Sequence, residues 1–149
     1  MELKKLKTNA SIEKGHTFAI KEFVADENGV YQDTDFKISV VGAGSKVHRK
    51  ALQEYHLAKD EIDKKAKKEK IPADELESVM NLLLAQFMAA CTTGWSGLTD
   101  EGVEVEFTQD TAVGVYADSI HILLQVVDEV NNLQKILGEL KASSESSAK

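Results

Sequence analysis

Four places in the chain carry residue types and spacings that could do chemistry. In VVGAGSKVHRK, residues 40–50, two glycines, Ser45 and Lys46 stand between a β-branched run and a helical pattern. Strand, glycine-rich turn and helix N-terminus are the parts with which backbone amides cradle a phosphate. A dinucleotide fingerprint needs a third glycine three residues after the second, for close packing of helix on strand. Val47 stands there instead. A Walker loop ends in Gly-Lys-Ser/Thr after an earlier glycine, whereas the order here is Gly44-Ser45-Lys46. The stretch therefore reads as a strand exit, a turn and a serine helix cap.

Cys91 offers a thiol, but a nucleophilic cysteine needs an activating base. No histidine is near it in sequence; His16, His48, His56 and His121 are scattered. Lying on the apolar side of a helical pattern, Cys91 reads as a core thiol. His56 and Asp60 share a helix face and could touch a metal, yet two ligands do not make a site, and a surface pair is the plainer reading. Lys64, Lys65, Lys67, Lys68 and Lys70 form a basic run interleaved with Asp60, Glu61, Asp63 and Glu69, which describes a solvated helix end. Trp95, between Gly94 and Gly97, is either an interaction anchor or a core plug. None of this indicates an enzyme, and no cofactor or metal is expected.

The elements that would position these residues follow from periodicity. Residues 1–16 are polar and weakly patterned, which predicts a loose arm. TFAIKEFVADENGVYQDTDFKISVV reads as two strands around Asn28-Gly29, and Phe36, Ile38 and Val40 alternate with Lys37 and Ser39. Ser45 caps a helix running to about Lys70, striped by Val47, Ala51, Leu52, Tyr55, Ala58 and Ile62. Pro72 separates it from the next helix, for which Asp74 and Glu77 suggest a capping box. That helix, Glu75 to Cys91, has a wide apolar stripe suited to the centre of the core. A turn at Asp100-Glu101-Gly102 precedes an extended or hairpin segment near 98–107. Thr108 caps a short helix over 109–117, and a last helix from about Asp118 to Leu140 carries Ile120, Leu123, Leu124, Val127, Val130, Leu137 and Leu140 in a heptad-like row. KASSESSAK reads as a disordered tail.

The bulk numbers narrow the class. The chain has 149 residues, a net charge of −7 and a single cysteine, with a pI near 5.1. An acidic protein lacks the basic face that nucleic acid requires, and one cysteine forms no internal disulfide, which suits a reducing cytoplasm. The start, MELKKLKTNA, has no long apolar core of a signal peptide. No apolar run approaches the ~18 residues that span a bilayer.

The order of pieces resembles a known family. FKISVVGAGSKVHRKA, then a charged helix, LLLAQFMAACTTGWSGL, GVEVEFTQDTAVGVY and a helical end with a Ser/Lys-rich tail are similar to the tail assembly chaperones of long-tailed phages. The matching residues are Gly42, Ser45 and Lys46; Cys91, Gly94, Trp95 and Gly97; and Gly102, Phe107 and Thr108. The resemblance covers residues 36 to 149. It implies a non-catalytic protein of the host-cell cytoplasm that is absent from the finished virion. Such a protein coats the tape-measure protein and keeps it soluble while tail-tube subunits polymerise around it. Some relatives are also made as a longer product by ribosomal frameshifting, the extension recruiting tube subunits.

The expected fold is mainly α, with α+β also defensible: about four helices, a small N-terminal β element and the short segment near 98–107. The expected division is an arm and first strand over 1–35, a helix-rich core over 36–140 and a tail over 141–149. Expected partners are the tape-measure protein, the tail-tube protein and further copies of the chain. Neither nucleic acid nor membrane is expected. Trp95, Leu123, Val127, Val130 and Leu137 are the candidate partner-binding residues. The alternative is a structural tail component, a tube or connector subunit, which would carry more strand.

Overall fold

The structure, a computed structural model, describes residues 9–23 and 29–132. A short helix α1 (Asn9–Lys14) leads into two long strands, β1 (His16–Phe23) and β2 (Tyr31–Val40). Two long helices follow, α2 (Lys46–Glu69) and α3 (Ala73–Cys91), and α3 runs directly into β3 (Thr92–Ser96). A two-residue-per-strand hairpin, β4 (Thr99–Asp100) and β5 (Val103–Glu104), precedes α4 (Gln109–Asp118) and α5 (Ile120–Val130). The turn residues Glu101 and Gly102 both have positive φ, the primed geometry that matches strand twist.

The main sheet is antiparallel in the order β1-β2-β3. One face is apolar and covered, the other polar and wet, as antiparallel sheets permit. Phe18, Ile20, Phe36, Ile38 and Val40 point into a core shared with Met88 and Cys91 of α3, Tyr116 of α4, and Leu123, Val126 and Val130 of α5. On the opposite face Thr17 and Ser39, a register pair, join hydroxyl to hydroxyl at 2.6 Å.

The β1–β2 ladder slips between Ala19 and Lys21. There the Thr34 hydroxyl donates to the Ile20 carbonyl (2.7 Å) and accepts the Phe36 amide (3.2 Å), supplying bonds that the bulge removes from the ladder. The outer edge of β1 is covered at the same level by α5. Gln125 accepts the Lys21 amide at 2.7 Å and donates to the Lys21 carbonyl at 3.0 Å, as a neighbouring strand would.

The expectation of a mainly α fold is corrected. Of the described residues 58% are helical and 23% are strand, in an α+β arrangement. The strand that sequence reading lacked is β3. TTGWS has a glycine at its centre, which weakens any strand signal, and it becomes a strand because β2 offers it an edge: Lys37 pairs with Ser96 and Ile38 with Trp95.

Two local expectations are also corrected. The arm is not loose throughout, because α1 is docked: the Gly42 amide donates to the Ile12 carbonyl (2.9 Å) and the Lys46 amide to a Glu13 carboxylate oxygen (2.8 Å). Gly15 then turns the chain at φ +69 so close to the Val40 carbonyl that a Cβ would collide with it. The capping box of Asp74 and Glu77 does not form, since α3 starts earlier, with Pro72 at its cap position and no side-chain cap bond. The caps at Ser45 and Thr108 do form, accepting the His48 amide at 3.1 Å and the Thr111 amide at 3.0 Å. The last helix is capped by Ser119 and ends at Val130 with Asn131 as its C-cap, short of the Leu140 expected from its apolar row. The division at residue 36 falls within β2. The 141–149 tail lies outside the described residues.

Candidate functional site

The glycine-rich turn after β2 has little left with which to hold an anion. The amides of Val41, Gly42 and Ala43 donate to the carbonyls of Cys91, Ile12 and Val130, each at 2.9 Å. The Ser45 amide donates to the Gly42 carbonyl at 3.2 Å. The Gly44 amide donates to Nδ1 of His48 (3.2 Å), and the Lys46 amide meets Glu13. A carboxylate of the chain itself thus sits where the positive end of α2 would otherwise attract a phosphate.

His48 is buried, and accepting the Gly44 amide keeps its Nδ1 unprotonated. Burial lowers its pKa below the ordinary 6.5. Cys91 is wholly buried, and loss of solvation pushes its thiol up to about 12. A thiol so placed stays protonated at neutral pH and acts as core packing. Next to it the Thr92 hydroxyl donates to the Met88 carbonyl (2.8 Å), so its bond with Tyr116 (2.8 Å) has the phenol as donor. Burial is also the main reason that Tyr116 is raised to about 12, with nearby Cys91 adding to the rise. His56 leans on the Tyr55 ring at 5.8 Å and makes no ion pair with Asp60, so the surface pair read from their spacing is not formed. His16 instead bonds Glu129 of α5 at 2.7 Å, a partner 113 residues away that no local spacing announces. Among the described residues no group of three His, Cys, Asp or Glu side chains could hold a metal ion.

The candidate partner-binding residues are not gathered on one surface. Trp95 is half-buried in an aromatic cluster, edge-on to Phe36 at 5.5 Å and to Phe107 at 5.2 Å, and its indole N–H donates to the Val105 carbonyl at 2.9 Å. Leu123 and Val130 are fully buried in the core, and Val127 packs against it. Leu137 lies outside the described residues. The row on α5 thus points inward, and the apolar residues left to solvent are Ile120 and Leu124, 49% and 52% exposed.

Sequence reading expects the charged end of the helix over 45–70 and the last helix, 118–140, to meet a partner or another copy; the exposed apolar surface lies instead between the two helices of the α2–α3 hairpin. From Leu52 to Leu84 no residue is buried, so beyond its base the α2–α3 pair stands off the sheet and core. At 1.5 Å per residue, α2 reaches about 36 Å. Between the two helices lies a half-open groove of about 210 Å³ lined by Ala51, Tyr55, Ala58, Leu83, Phe87 and Ala90, with the exposed Glu54 and Gln86 at its mouth. Tyr55 and Phe87, 5.3 Å apart, form its floor. Val79 and Leu82, 39% and 42% exposed, extend the apolar strip along α3. The far end of α2, residues 59–70, is charged and largely exposed, as its composition predicts. The signal for the groove was present in sequence as two facing apolar stripes on either side of Pro72. Small residues on both helices, rather than a full knob-into-hole seam, leave the space.

The fold and site together define an α+β protein in which a one-sided sheet carries a projecting helical hairpin. No family model, curated protein or solved structure matches the chain. No helix among the described residues is long and apolar enough to cross a membrane.

Proposed function

We propose that the protein is a tail assembly chaperone of a long-tailed phage, which holds amphipathic helices of the tape-measure protein while tail-tube subunits assemble. One observation carries the reading: the projecting α2–α3 hairpin and its open apolar groove, flanked by Val79 and Leu82. An amphipathic helix lays its apolar face into such a groove, reading anchors at i, i+3, i+4 and i+7. The resemblance of residues 36–149 supplies the class of partner. The buried thiol and the internally bonded glycine turn serve packing and capping in this reading, which places the protein in the host-cell cytoplasm. The acidic net charge favours neither nucleic acid nor an anionic membrane.

The test is co-expression with the tape-measure protein of the same genome. The tape measure is expected to become soluble and to co-purify with this protein. Ala58→Arg, which fills the groove from a half-buried position, is expected to abolish co-purification while leaving the far-UV circular dichroism unchanged. A tape measure that stays insoluble while this protein alone forms rings or tubes would establish the structural-component reading instead.

A further inference from the structure

We infer that the groove between α2 and α3 selects its partner helix by one basic side chain, an arginine or lysine set among the apolar anchors. The inference rests on the reading of the groove as a helix-binding site and adds the chemistry that the site recognises. Among the described residues Glu54 is the one charged side chain that lines the groove. It forms no ion pair there, not even with the exposed Lys50 one turn earlier on α2. The Tyr55 hydroxyl and the Gln86 amide, which line the same space, are likewise committed to no hydrogen bond among the described residues. An arginine or lysine head carries donors and no acceptor, so a carboxylate, a hydroxyl and an amide carbonyl suit it.

The walls and floor fit the same ligand. Ala51, Ala58 and Ala90 leave a channel along which a methylene stem can lie while its charged head stays near the mouth. The Tyr55 and Phe87 rings of the floor are 5.3 Å apart and inclined at 36°. Aromatic faces attract a cation held within about 6 Å of their centres. The groove holds about 210 Å³, more than the roughly 150 Å³ that admits a benzene ring. One long side chain therefore fits. A leucine or phenylalanine would fill the space but cover Glu54 without a counter-charge, and an acidic side chain would set two carboxylates together. The net charge of −7 steers a basic helix toward the protein in the same sense.

The test uses synthetic amphipathic helices and the full chain. An alanine-and-glutamine peptide with leucines at i, i+3 and i+7 carries arginine, glutamine, leucine or glutamate at i+4. Binding of each is measured by fluorescence anisotropy at low salt. The arginine peptide is expected to bind roughly tenfold tighter than the glutamine peptide, and the glutamate peptide most weakly. Glu54 is exposed, so its replacement leaves the core intact. Glu54→Gln should remove the arginine preference while holding the leucine peptide at least as tightly, and Glu54→Lys should reverse the order of arginine and glutamate. Equal binding of the arginine and glutamine peptides, or a preference that survives Glu54→Gln, would overturn the inference. If Ala58→Arg still blocked those peptides, the groove would remain a helix site without charge selection. Binding of none of the four would overturn both readings.

Discussion

Thr92 and Tyr116 show how a buried polar pair is held by direction. Thr92 has one proton and gives it to the Met88 carbonyl, so it can only accept from Tyr116. Removing the acceptor leaves a buried phenol unsatisfied, whereas removing the phenol leaves only a hydroxyl lone pair empty. Thr92→Val is therefore expected to cost about 1–3 kcal/mol and Tyr116→Phe less, with the double variant recovering part of the Thr92→Val loss because no phenol is then left unpaired. Chemical denaturation of the four proteins checks this, and equal single losses would refute the assigned direction. The buried titratable groups also set the pH limits of stability. His48, lowered in the fold, binds its proton more readily when unfolded, so its contribution is complete above about pH 6.5 and declines as pH falls below that. Cys91 and Tyr116, both raised to about 12, release protons first in the unfolded chain. Their contribution is complete below about pH 9 and is lost as pH rises from there toward 12. A melting temperature that falls on both flanks is expected, with His48→Gln flattening the acid flank.

At the scale of elements, the joins matter more than the interiors. β3 begins where α3 stops, and Gly97 then brings the chain against the Asp35 carbonyl with φ +81. Any Cβ there would meet backbone that belongs to the central strand and cannot yield. Gly97→Ala is expected to cost at least about 2 kcal/mol, combining positive-φ strain with the collision. Gly94→Ala, with open space around it, is expected to be nearly neutral. Thermal melts of the two variants separate these outcomes, and similar losses would show that strand propensity rather than close approach is at issue.

At the scale of the molecule, the body and the hairpin tip are separable. No residue of 62–80 belongs to the core or to the side chains packed against it, whereas Leu52, Tyr55 and Leu84 nearer the base still help to close it. Replacing residues 62–80 by a short glycine-containing turn removes equal lengths of α2 and α3. The truncated protein is expected to keep one cooperative melt within a few degrees of the parent and to retain the sheet's circular dichroism signal. Loss of the cooperative transition would show that the tip stabilises the body. With the tip gone but the groove retained, capture of a partner helix measures how far binding depends on Val79.

Much of this structure was legible in the residues. The alternation of Phe36, Ile38 and Val40 specified the central strand and its buried face, because a pleated strand sends successive side chains to opposite sides. Ser45 and Thr108 announced their helices, because a side-chain oxygen before a helical stripe satisfies free amides wherever the helix lies. The same local chemistry identified Cys91 as a core thiol and the glycine turn as a cap. What sequence could not decide is whatever depends on a partner distant along the chain. TTGWS is a strand only because β2 presents an edge, and α1 is ordered through Gly42 and Lys46. The heptad-like row on α5 was amphipathic in sequence whether its apolar side met a partner or the chain's own sheet. Only the tertiary structure put Leu123 and Val130 inside while leaving Ile120 and Leu124 of the same helix, and Val79 and Leu82 of the α2–α3 hairpin, to solvent. Periodicity records that a face is apolar; what covers it depends on how the elements pack in space.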